Sequence, residues 1–318
     1  MEKSSYNKQK DYKGLPYKSI SDVAKETFTY IKQRKNREIK SLKTPWKKFN
    51  KASMGGIEWN TIITIAGMSG SGKTAMINQL ETSLIDLNPD QKFGILSFNF
   101  EMLARNLVGR KVSNRVKKTT QEIYSASDKE LTDEDLLRIR QELKRISQYD
   151  IHYIDIPGTV EQIRKSILSF ALSRGNNSVD SEYGVVVTLD HSLLVLGEGE
   201  RQTLIDLMSM FNNLKKSIKV TFIILSQLNR NIESSERIKD PLMHYPKKQD
   251  IFASDALYQF SDIVLVSHNP RMLGIRYYGP QKIDTTGKIF HHYLKMREGE
   301  PFIAVMKDNL KYNEVLDA

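Results

Sequence analysis

A chain of 318 residues can bury one full α/β core with some length to spare, and the absence of cysteine excludes disulfides, thiolate metal sites and cysteine nucleophiles. No apolar run approaches the ~18 residues that span a bilayer, and the N-terminus has no apolar signal core, so a soluble, cytoplasmic protein without a membrane partner is expected. The net charge of +10 sits at one end: residues 1–51 hold 15 Lys/Arg against 5 Asp/Glu, and residues 52–318 hold 33 of each.

Such a basic arm suits phosphate neutralisation on nucleic acid and equally suits a solvated linker. Residues 1–18 are polar and lack an apolar period. Ser21 is placed to cap a helix over residues 21–40, whose narrow stripe of Val23, Phe28 and Ile31 needs a partner surface. Thr44-Pro45-Trp46 and Gly55-Gly56 then break the chain. The expected organisation is a basic arm with a linker helix over residues 1–43 and one large domain over residues 44–318. Within the latter, short apolar runs alternate with helical segments, the pattern of parallel βαβ units. Strands are expected at 62–66, 93–100, 151–154, 185–189, 221–225 and 263–266. Helical period marks 74–87, 102–112, 132–147, 160–173 and 203–217; Thr132 is a natural cap for an acidic first turn. After Val266 the chain turns to Gly/Pro breaks and β-rich stretches near 277–278 and 290–294. The expected class is α/β, with a mostly parallel central sheet flanked by helices and antiparallel strands toward the C-terminus.

Residues Gly67, Met68, Ser69, Gly70, Ser71, Gly72, Lys73 and Thr74 fit the pattern G-x-x-x-x-G-K-[ST], between an apolar strand and a helix opening at Ala75. The glycines let backbone N–H groups turn inward round phosphates, and the helix N-terminus adds partial positive charge. This predicts a Mg-ATP site, with Lys73 on the β- and γ-phosphates and the Thr74 hydroxyl on Mg²⁺. The run Val185-Val186-Val187-Thr188-Leu189-Asp190 delivers a carboxylate at a strand's C-terminal edge, which nominates Asp190 as the second metal residue. Asp190 can otherwise cap the following turn. Glu101, after the second strand, is positioned to deprotonate an attacking water, although an acid after a strand is often only a loop residue. Gln227 ends a third strand, where its amide can sense a γ-phosphate.

With these residues in place, the chain resembles the RecA-like motor domain of replicative DNA helicases of the DnaB type, from about Thr44 to Arg297. The resemblance rests on Thr44-Pro45-Trp46, Gly55-Gly56-Ile57, the phosphate loop, Phe98-Asn99-Phe100-Glu101-Met102, Leu131-Thr132-Asp133-Glu134-Asp135, Tyr153-Ile154-Asp155 and Leu225-Ser226-Gln227-Leu228-Asn229-Arg230. It implies a catalytic glutamate at Glu101, a Walker B aspartate at Asp190, a sensor glutamine at Gln227 and a nucleotide-adjacent arginine at Arg110. It further implies that Lys295 and Arg297 are inserted into a neighbouring protomer's site. From the residues alone they are cations on a strand.

The family resemblance implies a hexameric ring on single-stranded DNA that unwinds forked duplexes, with a primase or a helicase loader as partner. Two channel-facing loops fall near 197–202 and 229–256, with Arg201, Arg230, Arg237, Lys239, Lys247 and Lys248 as candidate phosphate contacts. Three departures stand out. His191 replaces the aromatic after the Walker B aspartate, Phe252-Ala253-Ser254-Asp255 replaces an Arg-Glu-Ser-Gly stretch, and the motor is expected to lack the family's separate N-terminal domain. A RecA-like strand-exchange filament and a nucleotide-switched helicase accessory or scaffold are the alternative functions.

Overall fold

The computed structural model describes residues 17–125, 131–252 and 254–318. Residues 1–16 of the basic arm and Ala253 of the altered stretch therefore lie outside the described residues. The chain divides into two compact units, residues 1–40 and 41–318.

In the first unit, helix α1 spans Ile20–Lys35. Its cap is Ser19 rather than the expected Ser21: the Ser19 hydroxyl accepts from the Asp22 amide and lies 2.6 Å from the Asp22 carboxylate. The helix also stops short of residue 40: Lys32, Arg34 and Lys35 in its last turn suit a helix C-terminus, and Arg37 follows in the left-handed region (φ 61°). None of its residues is buried.

The second unit begins at Ser41, since Leu42 is fully buried and pairs with Ile57 in both directions (N–H to O distances of 2.7 and 2.8 Å). Short helix α2 (Lys47–Ala52) follows. A single sheet then dominates: β1 (Ile62–Gly67), β2 (Phe93–Asn99), β3 (Ile151–Ile154), β4 (Gly184–Asp190), β5 (Val220–Gln227) and β6 (Ile263–His268) are mutually parallel. A two-stranded side ribbon, β7 (Tyr277–Tyr278) and β8 (Ile283–Asp284), precedes the antiparallel strands β9 (Lys288–Met296), β10 (Phe302–Asn309) and β11 (Glu314–Asp317). The order across the main sheet is β11-β10-β9-β6-β1-β5-β4-β2-β3. The expected parallel core and antiparallel tail are both present.

Strands β1, β2, β4 and β6 are buried along their whole length, which is why they read as unbroken apolar runs rather than alternating ones. Helix α3 (Lys73–Leu87) covers one face, where Met76, Leu80 and Leu84 pack with Ile63, Ile65 and Ile223. Helices α4 (Ala104–Val116), α5 (Thr120–Tyr124) and α6 (Asp133–Ile146) lie between β2 and β3 in the chain. Thr132 caps α6 as expected and forms a reciprocal capping box with Asp135. On the other face lie α7 (Val160–Leu172) and α8 (Glu200–Leu214), with Ile163, Ile167, Leu207 and Phe211 against Val185, Val187 and Phe222. Phe211 stacks on Phe222 with ring centroids 4.2 Å apart, both fully buried. Truncating either to Ala would cost about 3–5 kcal/mol through lost burial and the cavity left behind. Short α9 (Ser235–Lys239) and α10 (Ser254–Phe260) complete the chain's helices among the described residues.

Among the described residues no helix is long and apolar enough to cross a membrane.

Candidate active site

The strand register assembles the site. Gly67 at the end of β1 pairs with Gln227 on β5 and with Ser267 on β6, and Asn99 on β2 pairs with Asp190 on β4. The C-terminal edges of neighbouring parallel strands thus deliver the phosphate loop, Gln227, Asp190 and, just past Asn99, Glu101 to one place. This is the edge at which open α/β sheets bind ligands. A cavity of about 320 Å³ opens there, and Lys73, Thr74, Glu101, Arg110, Asp190 and Gln227 all line it. Ser69, Gly70, Gly72 and Ala75 from the loop and helix start line it too.

The loop's geometry depends on glycine. Gly72 caps α3 with φ 91°, a left-handed conformation that side chains resist. At Gly67 a Cβ would fall 2.3 Å from the Ser71 hydroxyl and 2.7 Å from the Ser267 carbonyl, so the tight return of the loop permits no side chain. The Ser267 hydroxyl donates to the Ser71 carbonyl at 2.8 Å and pins the loop to β6.

Lys73 Nζ donates to the carbonyls of Gly67 and Met68, both at 2.8 Å. Burial lowers its pKa to about 8, opposed by the negative charges of Asp190 and Glu101. Thr74 Oγ1 donates to Asp190 Oδ2 at 3.2 Å. The Asp190 carboxyl is pushed up from the usual range, first by burial and then by the charge of Glu101, while the Thr74 hydrogen bond pulls it back. Asp190 and Lys73 are thus mutually dependent, and added positive charge would relieve the Asp190 carboxyl.

These residues fit the expected ligands. The Ser71 hydroxyl is buried without a hydrogen-bond partner, a donor suited to a phosphate oxygen at the loop. Thr74 and Asp190 offer adjacent hard oxygens, the donor type magnesium prefers when phosphates and waters complete its shell. Among the described residues no cluster of three or more His, Asp or Glu side chains suits a metal ion by itself.

Sequence reasoning missed several features. The Gln227 side-chain amide meets His191 Nε2 at 2.7 Å, the amide donating to the ring. His191 itself sits at φ 68° and also lines the cavity. Leu310 and Asn313 reach the cavity from beyond β10, and no motif marks them. The left-handed backbone of Asn313 (φ 52°) follows a turn, and Leu310 packs over Gly72.

Lys295 and Arg297 are not at this cavity. Because β9 runs antiparallel to β6, its last residues lie beside the starts of the parallel strands: Lys295 pairs with Val264, and the Arg297 amide donates to the Asp262 carbonyl. There Lys295 Nζ donates to the carbonyls of Tyr258 (2.6 Å) and Gln259 (3.3 Å) at the end of α10. The Arg297 guanidinium pairs with Asp262 at 3.0 Å, and Asp262 also binds Lys215 Nζ (2.7 Å) and the Ile62 amide (2.8 Å).

The loop cations divide. Arg201 lies in the first turn of α8, not in a loop, because α8 starts at Glu200 rather than at 203. Arg230, Lys239, Lys247 and Lys248 are exposed, and Arg201 and Lys248 each approach Asp255 (3.7 and 3.6 Å). Arg237 is unavailable to a ligand. It is buried, pairs with Asp250 at 2.5 Å and donates to the Met243 and Tyr245 carbonyls. Residues 228–251 are therefore folded around Arg237, with their ends joined by a bridge between Leu228 and Ile251.

The described geometry agrees with known proteins. The chain is 23% identical over 263 residues to the "Probable replicative DNA helicase" of Trieres chinensis, covering 82% of this chain and 54% of that protein. It is 23% identical over 268 residues to the "Replicative DNA helicase DnaB" of Buchnera aphidicola subsp. Baizongia pistaciae (strain Bp), with the same coverage of 82% and 54%. The chain thus spans about half the length of these curated relatives. Among solved structures, an isolated ATPase domain superposes with a TM-score of 0.77 at 17% identity, covering 95% of this chain and 100% of that one. A DnaB-like replicative helicase studied with primase gives a TM-score of 0.73 at 18% identity, covering 95% and 68%. Both likenesses establish the fold. Residues 41–304 match the DnaB-like helicase C-terminal domain, and the chain belongs to that family.

Proposed function

We propose that this chain is an ATP hydrolase that moves along single-stranded DNA and unwinds forked duplex during replication, as a ring of identical copies, six by family resemblance. One observation carries the reading. A phosphate-loop cavity lined by Glu101, Asp190 and Gln227 stands at one edge of the sheet, and Lys295 and Arg297, the cations expected to complete such a site, stand at the other. Those cations cannot serve their own chain's cavity without breaking the β6–β9 pairing. A neighbouring copy offers the simplest use for them.

In this reading Ser71, the loop N–H groups and Lys73 bind the phosphates, and Thr74 and Asp190 would hold Mg²⁺, which supplies charge neutralisation when bound. Glu101 accepts the proton of the attacking water as its oxygen bonds the γ-phosphorus and the bond to the ADP oxygen breaks. Gln227 donates to the γ-phosphate, Arg110 flanks the nucleotide, and Lys295 and Arg297 of an adjacent copy stabilise charge on the transferred group. Exposed Arg201, Arg230, Lys247 and Lys248 contact DNA phosphates without reading sequence. A primase or a helicase loader is the further partner class, and a bacterial or phage-infected cytoplasm is the setting.

The test is ATP turnover with and without single-stranded DNA, combined with unwinding of a forked duplex. DNA-stimulated turnover with unwinding supports the proposal. Turnover indifferent to DNA contradicts it, filaments on DNA favour a strand-exchange role, and DNA-stimulated turnover without unwinding favours an accessory role.

A further inference from the structure

A fully buried charged network, outside the cavity and unused in the scheme above, lies beneath the site. Glu81 on α3 and Lys111 on α4 form an ion pair of 2.6 Å, each side chain 1% exposed. The other carboxylate oxygen of Glu81 accepts from the hydroxyls of Ser97 on β2 (2.5 Å) and Thr188 on β4 (2.6 Å). The two hydroxyls lie 2.8 Å apart, the Asn99 amide donates to Ser97 Oγ at 2.9 Å, and Lys111 also donates to Asn78.

Each element tied to Glu81 carries a residue of the site. Helix α3 begins with Lys73 and Thr74, β2 leads into Glu101, β4 ends in Asp190, and α4 holds Arg110 next to Lys111. Burying an ion pair in a sheet-helix core usually gains no stability over an apolar filling of the same shape. Fixing geometry is a function that such a pair does serve well, because its hydrogen bonds are directional and leave few alternative packings.

We propose that Glu81 is a positioning residue for phosphoryl transfer, locking the elements that carry Lys73/Thr74, Glu101, Asp190 and Arg110 into one arrangement through Ser97, Thr188 and Lys111. The inference rests on the ATP-hydrolase reading given above. It makes the network a determinant of kcat rather than of nucleotide affinity. The phosphate loop binds the nucleotide largely through its own backbone, whereas hydrolysis needs Glu101 and Asp190 aligned with it.

The experiment measures steady-state ATP turnover and thermal unfolding of the full chain for wild type, Thr188→Val, Thr188→Ser and Ser97→Ala. Val keeps the shape and strand preference of Thr and removes only the hydroxyl, while Ser keeps the hydroxyl. The expected result is a loss of about tenfold in kcat for Thr188→Val, with KM for ATP changed less than about twofold and kcat restored by Thr188→Ser. Ser97→Ala is expected to show the same kcat-selective loss, and it decides the matter should Thr188→Val fail to fold. Folded variants with wild-type kcat, or Thr188→Ser as impaired as Thr188→Val, would overturn the inference. A wild-type chain that turns over no ATP would instead overturn the reading on which the inference rests, and the inference with it.

Discussion

Arg297 and Lys73 stand at opposite ends of one sheet. The Arg297 amide bonds Asp262, whose carboxylate takes the Ile62 amide at the start of β1, whereas Lys73 follows the loop after Gly67 at the end of β1. The rise from Ile62 to Gly67 is roughly 16 Å at ~3.3 Å per residue. A site that uses both residues therefore needs two chains.

Lys73→Ala is expected to lower ATP turnover at least about 100-fold, because the cavity loses the ammonium proposed to bind the phosphates. Stability should change little, since the bonds lost are those to two carbonyls of the loop itself. Turnover and thermal unfolding measured on one preparation check both halves.

Glu101→Gln keeps the size of the side chain and removes the carboxylate proposed as the base. It should leave nucleotide affinity within a few-fold of wild type while lowering kcat about 100-fold or more. Equilibrium binding of a fluorescent ATP analogue, set beside single-turnover hydrolysis, distinguishes this from a binding defect.

The lowered pKa of Lys73 makes nucleotide binding depend on pH. With the pKa at about 8, the ammonium loses its proton as pH rises through that value, well below the ordinary lysine range. Phosphates favour the charged form, so binding above pH 8 should take up a proton and affinity should weaken between pH 7.5 and about 9.5. Lys73→Arg, charged throughout, should show no such slope. Calorimetric titration in two buffers of different ionisation heat measures the proton uptake.

Arg237 and Lys248 should differ in kind although both lie in the segment expected to face DNA. Arg237→Ala leaves Asp250 buried and unpaired, so it should cost about 3–5 kcal/mol of stability. Lys248→Ala should leave stability within about 0.5 kcal/mol and reduce the salt dependence of single-stranded DNA binding by about 0.7 in log-log slope. Denaturant titration and DNA binding at several salt concentrations separate them.

Much of the sheet is legible in the sequence for a physical reason. Parallel strands covered on both faces read as unbroken apolar runs, so Val185-Val186-Val187 and Ile223-Ile224-Leu225 announce themselves. The phosphate loop is equally plain, because its glycines answer to backbone geometry that few other loops require. Strand β10 is harder to read: it alternates between buried and exposed positions and ends in Lys307-Asp308-Asn309, which resembles a turn. Short α10 gives too few residues for a helical period. Charge is the least legible property. Arg237 and Lys111 look like surface cations until Asp250 and Glu81 are found beside them, and Glu81 is 30 residues from its partner in the chain. His191 looks like an isolated substitution until Gln227 is seen to bond it across neighbouring strands.

The central claim, a site shared between copies, is tested most directly by mixing two inactive proteins, Lys73→Ala and Arg297→Ala. In randomly mixed rings about a quarter of the interfaces would combine an intact loop with an intact neighbouring arginine. Turnover of the mixture should therefore rise well above that of either protein alone, toward about a quarter of wild type. A mixture no more active than the average of its two components would contradict the shared site.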